Sequence, residues 1–187
     1  MNNVEEYDFI IQPGWMNSGR DHWQSHWERV LQAKRVNNSN WDEPALEDWI
    51  NGLEQAVQTC SKPVVVIAHS LGCATLAHYA LRFPRTIHAA LLVAPADVER
   101  ENAPSTLNKF APLPLSQFDF PSRIIASTND PFCHSKRAEQ FANAWGSDLV
   151  YLVGAGHINA ASGHMEWNSG LEELRSLLNT AESKLAA

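Results

Sequence analysis

Cysteine is scarce in this chain. Only Cys60, Cys73 and Cys133 occur in 187 residues, an odd number without a C-x-x-C spacing. That excludes a disulfide scaffold and a cysteine-held zinc site, and it fits reduced thiols in a cytoplasm. Basic charge is scarce too: 14 Lys and Arg stand against 21 Asp and Glu, a net charge of -7. Nucleic acid and anionic membrane both require a basic footprint, so neither is expected as a partner. No apolar run approaches the length of a membrane span. The N-terminus, MNNVEEYDFIIQPG, has acidic residues where an export signal needs basic ones, which again argues for a cytoplasmic chain. Repeats and low-complexity tracts are also lacking.

What remains is an ordinary globular composition, with a length that suits one domain over residues 1–187. Apolar runs of strand length alternate with helical patterns. YDFIIQP, AKRV, PVVVIAH, HAALLVAP, SRIIAST and DLVYLV read as strands. Between and after them, DHWQSHWERVLQ carries Trp23, Trp27, Val30 and Leu31 at helical spacing. EPALEDWINGLEQAVQTC carries the stripe Leu46, Trp49, Ile50, Leu53, Ala56 and Val57. LGCATLAHYALRF, SKRAEQFANAW with Gly146 as its C-cap, and GLEELRSLLNTAESKL complete the helices. Such alternation predicts a parallel sheet covered by helices on both faces. The exception is Asp97 to Phe120, rich in Pro, Asn and Ser and weakly periodic, which reads as a surface excursion or short lid.

Function in an open parallel sheet gathers at the carboxyl ends of the strands. Ser70 follows the third strand, Asn129 and Asp130 follow SRIIAST, and the GAGH loop after DLVYLV delivers His157. If the strands are parallel, Ser70, Asp130 and His157 arrive at one edge, in the chain order serine, acid, histidine. A serine hydroxyl needs a neighbouring base to take its proton as it attacks, which assigns that task to His157. Asp130 would fix the imidazole tautomer and stabilise the imidazolium. An oxyanion hole needs two aimed amides. One is assigned to Leu71, directly after the serine. The other is assigned to Trp15 in QPGWMNSG, where Gly14 lets the backbone turn. Gly14, Trp15 and His69 are the expected substrate-binding residues.

Other groups compete for these roles. Alone, Ser70 at a strand–helix junction reads as an N-cap, Asp130 before Pro131 as a turn residue, and His157 as a surface histidine. Asp97 also follows a strand but opens the irregular segment, His164 lies deeper in the following segment, and His69 reads as a local packing residue. Cys73, a turn after Ser70, is expected in the core, and Cys133 is a candidate for the pocket wall. His22 and His26 have a metal-ligand spacing, but no Glu follows His22 and no third ligand is evident, so no metal and no cofactor are expected. Trp15 and Trp167 are expected to border the site.

AHSLGC, ASTNDPFCHSKRAEQFANAWGS and GAGHINAASGHMEWNSG, together with PGWMNSGRDHWQSHWE and NWDEPALEDWI, resemble the small α/β-hydrolases of the YdeN and retinoblastoma-binding protein nine family. The similarity covers nearly the whole chain. It implies an α/β-hydrolase fold, a three-layer sandwich with a central, mostly parallel sheet flanked by helices and a minimal cap. It also implies a Ser-Asp-His triad, which falls on Ser70, Asp130 and His157. An L-x-C-x-E contact motif is lacking, so retinoblastoma-protein binding is not carried over. The expected activity is that of a serine hydrolase, a carboxylesterase acting on a small ester through an acyl-serine. The alternatives are a catalytically silent protein-binding module, and an acyltransferase or thioesterase with the same three residues. Ala68 stands where the G-x-S-x-G turn usually has its first glycine; one added methyl is expected to alter the packing of the turn rather than its formation.

Overall fold

Strands covered on both faces can be apolar at every position, and the runs PVVVIAH, HAALLVAP and SRIIAST become such strands. The computed structural model describes residues 4–185, so the first three residues of the N-terminal segment read for an export signal lie outside it. Six strands form one sheet: β1 (Asp8–Gln12), β2 (Lys34–Arg35), β3 (Val64–His69), β4 (Ala89–Val93), β5 (Ser122–Ser127) and β6 (Asp148–Leu152). Their order is β2-β1-β3-β4-β5-β6, and every neighbouring pair is parallel. All strands therefore end at the same edge.

Five helices cover the sheet: α1 (Trp23–Val30), α2 (Leu46–Gln58), α3 (Leu71–Arg82), α4 (Ser135–Trp145) and α5 (Asn168–Leu185). The pleat sends alternate side chains to opposite faces. Val64, Val66 and Ala68 of β3 join a core with Trp49 and Leu53 of α2, Leu76 of α3, and Phe141 and Trp145 of α4. Val65 and Ile67 point the other way, into a core with Trp23 and Trp27 of α1 and Leu174 and Leu178 of α5. Val30, grouped with the α1 stripe by its spacing, is the last residue of that helix and stays exposed. Gly146 closes α4 in the left-handed conformation, φ 70°, as its position predicts.

The segment from Asp97 to Phe120 corrects the sequence reading. It holds a 3-10 turn over Ser105–Phe110, and Leu107, Phe110, Leu113, Phe118 and Phe120 are buried in the core under α2, α3 and α4. Phe118 stacks on Trp145 with ring centroids 5.3 Å apart. Leu107 and Phe110 share one short 3-10 turn, and the others lie outside helix and strand, so no sustained helical or strand period marks the set. Among the described residues no helix is long and apolar enough to cross a membrane.

Candidate active site

The turn from β3 into α3 forces Ser70 into an unusual backbone state, φ 55° and ψ -121°. Such strain persists only where the surroundings over-determine it. Here the Ser70 amide donates to the Val93 carbonyl at 3.0 Å, and the Ser70 carbonyl accepts from the Ala96 amide at 3.3 Å. Two glycines make room beside it. A Cβ on Gly72 would lie 2.4 Å from the Gln12 carbonyl oxygen, and one on Gly14 would lie 2.8 Å from Ser70 Cβ. Gly14 is thus required by close approach. The left-handed residues of this loop are Met16 and Asn17, at φ 63° and 62°. Ala68 is fully buried in the sheet core, where its methyl packs without opening the turn.

Ser70 occupies the N-cap position of α3, yet its side chain makes no capping hydrogen bond. Its hydroxyl lies 2.8 Å from His157 Nε2 instead. His157 Nδ1 lies 3.0 and 2.9 Å from the two carboxylate oxygens of Asp130, so that it donates to them and leaves Nε2 free to accept. Both His157 and Asp130 are buried. Asp130 also accepts the Phe132 amide at 2.8 Å.

The loops carrying these residues are clasped together. Asn129 Oδ1 accepts the Gly156 amide at 2.8 Å and the Ser127 hydroxyl at 2.8 Å. Thr128 Oγ1 accepts the Gly154 amide at 3.0 Å. From below, His69 Nε2 donates to the His157 carbonyl at 3.0 Å, and Trp23 Nε1 donates to the Ile158 carbonyl at 2.8 Å. His69 also reaches the pocket surface, but this bond occupies its Nε2. Burial first, and then the nearby His157, push the His69 pKa well below its ordinary value, so the ring stays neutral.

Leu71 opens α3, where helix geometry leaves amides without intrahelical acceptors. Neither its amide nor that of Trp15 donates to an acceptor among the described residues. The Gly14 backbone stands close to both Ser70 and the Leu71 amide. Buried Gln24 holds this loop from behind. Its Nε2 donates to the carbonyls of Gln12 and Ile67 at 3.3 and 3.2 Å, and its Oε1 accepts the Ser18 hydroxyl at 2.6 Å. Sequence reading passed over Gln24 because its value comes from bridging β1 to β3.

A cavity of about 320 Å³ opens above Ser70. Trp15, Leu71 and Phe132 supply much of its apolar wall, and Pro104 and Leu107 of the irregular segment complete it. Arg100 is its one charged lining residue, and His22 lines it as well. His22, considered as a metal ligand with His26, is the side-chain cap of α1: its Nδ1 accepts the Gln24 amide at 3.1 Å. Burial, and then the charge of Arg35, lower its pKa to about 4. No cluster able to hold a metal ion occurs among the described residues.

Cys133 is buried but absent from the cavity lining, and burial raises its thiol pKa to about 12. Cys73 is wholly buried, as expected. Trp167 is drawn away from the cavity into an aromatic group, stacking on Trp27 at 5.4 Å. Asp97 is used elsewhere: its carboxylate pairs with Arg137 at 3.3 Å. His164 contacts the Ser162 hydroxyl at 3.2 Å, away from Ser70. Arg100, Phe132 and Leu107 were not legible as lining residues, since nothing in a weakly periodic segment or a turn signals which side chains face a cavity.

Against known proteins, a family model described as serine hydrolase matches residues 9–176. Among solved structures, the chain is similar to a protein from Pectobacterium atrosepticum described as a YdeN-like hydrolase. They share 31% identity over 96% of this chain and 95% of that one, with a TM-score of 0.85. The YdeN product of Bacillus subtilis matches at 22% identity over 93% of this chain and 99% of that one, with a TM-score of 0.73. A serine hydrolase of carbazole degradation, CarC, shares the fold at 11% identity over 94% of this chain and 91% of that one, with a TM-score of 0.68. A search of curated proteins finds no significant match.

Proposed function

The chain belongs to the YdeN-like family of small serine hydrolases and has the α/β-hydrolase fold, and from that premise we propose that it hydrolyses a small carboxylic ester through an acyl-serine at Ser70. The observation that carries this reading is the continuous hydrogen-bonded line from Ser70 through His157 to Asp130 at the floor of the cavity. As Ser70 Oγ bonds to the acyl carbon, its proton passes to His157 Nε2. Asp130 stabilises the imidazolium that results. The tetrahedral oxyanion receives the amides of Leu71 and Trp15. The intermediate collapses by breaking the carbon–oxygen bond to the alcohol, which departs with the proton from Nε2. Water then attacks the acyl carbon while giving its proton to His157. The acid is released, and the proton returns to Ser70 Oγ.

The test has two parts. A fluorophosphonate probe should label the folded protein at Ser70, and Ser70→Ala should lose labelling. The same variant should lose at least about 10⁴-fold in kcat/KM on 4-nitrophenyl acetate, the scale of removing an activated serine. Hydrolysis by Ser70→Ala at the parent rate would overturn the assignment.

A further inference from the structure

Charge is distributed unevenly around the cavity. The chain holds 21 acidic and 14 basic side chains, yet no carboxylate lines the cavity and one guanidinium does. That guanidinium, Arg100, is half-buried and held in place. Its Nη1 donates to the Asp97 carbonyl oxygen at 2.9 Å, and its Cζ sits 5.2 Å from the centroid of the Phe132 ring. Phe132 in turn stands edge-on to His157, with centroids 4.6 Å apart. Arg100 is therefore tied into the wall beside the reacting centre rather than extended into solvent.

Two of the acids near it in the chain are engaged elsewhere: Asp97 and Glu99 both pair with Arg137, while the adjacent Glu101 is exposed. Among the described residues, no carboxylate pairs with Arg100 within ion-pair distance, and the one bond its guanidinium makes is to a backbone carbonyl. Arg35, Arg82 and Arg123 each pair with an acid, and among the described arginines without an ion pair Arg100 is the one that lines this cavity. The lining amides Asn17 and Asn159 and the Ser70 hydroxyl carry no charge. His22 and His69 cannot compete for an anion as cations, since both rings are held uncharged. A fork of N–H donors without a counter-charge, on the wall of a mostly apolar cavity, matches the geometry of a carboxylate.

We propose that Arg100 selects esters that carry a second, free carboxylate, so that the substrate class is an anionic half-ester or an acyloxy acid. This rests on the assignment of Ser70 as the nucleophile. The guanidinium would receive the carboxylate while the ester carbonyl lies over Ser70, and the cavity volume of about 320 Å³ restricts the spacer to a short chain.

The experiment compares matched pairs. Monoethyl glutarate bears the carboxylate on the acyl side, and 4-acetoxybutyrate bears it on the alcohol side. Each is measured against its neutral carboxamide analogue, with acid release as the readout. In the parent protein, at least one pair should show a kcat/KM ratio of about tenfold or more in favour of the anion, the size of a charge-assisted hydrogen bond. The ratio should fall as salt is added. Arg100→Gln should bring the ratio to about 1, and Arg100→Glu should invert it, whatever either does to the absolute rate. A parent ratio near 1 in both pairs, or a ratio unchanged in Arg100→Gln, overturns the proposal while leaving the esterase reading intact. No turnover of any ester, with no probe labelling at Ser70, overturns both.

Discussion

Two walls face each other across Ser70, and they are built by different means. The wall from Pro13 to His26 is held by hydrogen bonds. Gln24 ties Gln12 and Ile67 to Ser18, and Ser25 and Arg35 both donate to the Ser18 carbonyl, at 3.0 and 3.2 Å. The wall from Asp97 to Phe110 is held mainly by apolar side chains, with Leu107 and Phe110 buried and Arg100 laid against Phe132. Hydrogen bonds are directional and fix an amide to within tenths of an ångström, which oxyanion stabilisation demands. Apolar packing tolerates exchange of shape for shape and so suits a surface that chooses substrates. Under the proposed esterase reading, the difference would put rate on the first wall and selectivity on the second.

The largest blow to that division should come at Gly14. Gly14→Ala places a methyl 2.8 Å from Ser70 Cβ, which pushes the Trp15 amide away from the nucleophile. We expect a loss of about 10²- to 10³-fold in kcat/KM on 4-nitrophenyl acetate, the effect of losing one oxyanion donor. Thermal unfolding should show a folded protein, and a parent-like rate would mean that this wall carries no share of the chemistry.

On the opposite side, Leu107→Ala should act mainly on stability and binding. Leu107 is both buried and part of the cavity wall, so truncation should cost about 2–3 kcal/mol in denaturant unfolding. KM should rise severalfold while the rate falls far less than in Gly14→Ala. An equal collapse of kcat in both variants would erase the distinction between the walls.

The smallest effect concerns pH. His22 has a folded-state pKa of about 4 against about 6.5 when unfolded, so the unfolded chain binds more protons between those values. Stability should therefore be whole above about pH 6.5 and decline as pH falls toward 4. From pH 7 to pH 5 the share of His22 is ~2 kcal/mol. Buried His69 acts in the same direction. Urea unfolding at pH 7 and pH 5 should show a smaller decline for His22→Gln than for the parent. An equal decline would place the pH dependence in other groups.

Much of the fold was legible because its signals are local. A continuous run such as PVVVIAH can be buried on both faces only in the middle of a parallel sheet, and β3 lies there. The strand ends then named Ser70, Asp130 and His157, which the structure brings within hydrogen-bonding distance. Residues whose roles depend on a distant partner were not legible. For His22 the sequence showed only an i, i+4 spacing to His26, from which no metal was expected, whereas a side-chain cap facing a cavity leaves no mark in sequence. Arg100 and Leu107 lay in a segment without period, so nothing distinguished those facing the cavity from those facing water.

By itself, the sequence determined the order of strands and helices, the two-sided burial of the sheet and the residues delivered to its carboxyl edge. These follow from apolar periodicity and from turns, which act over a few residues. Only the tertiary structure decided what touches what. Ser70 meets His157 across 87 positions of chain, Gly14 is required by the bulk of Ser70 rather than by its own torsion, and Asp97 and Glu99 turn to Arg137 rather than to the nearby Arg100. Such choices arise from close packing and charge pairing between remote segments, and a linear pattern holds no record of them.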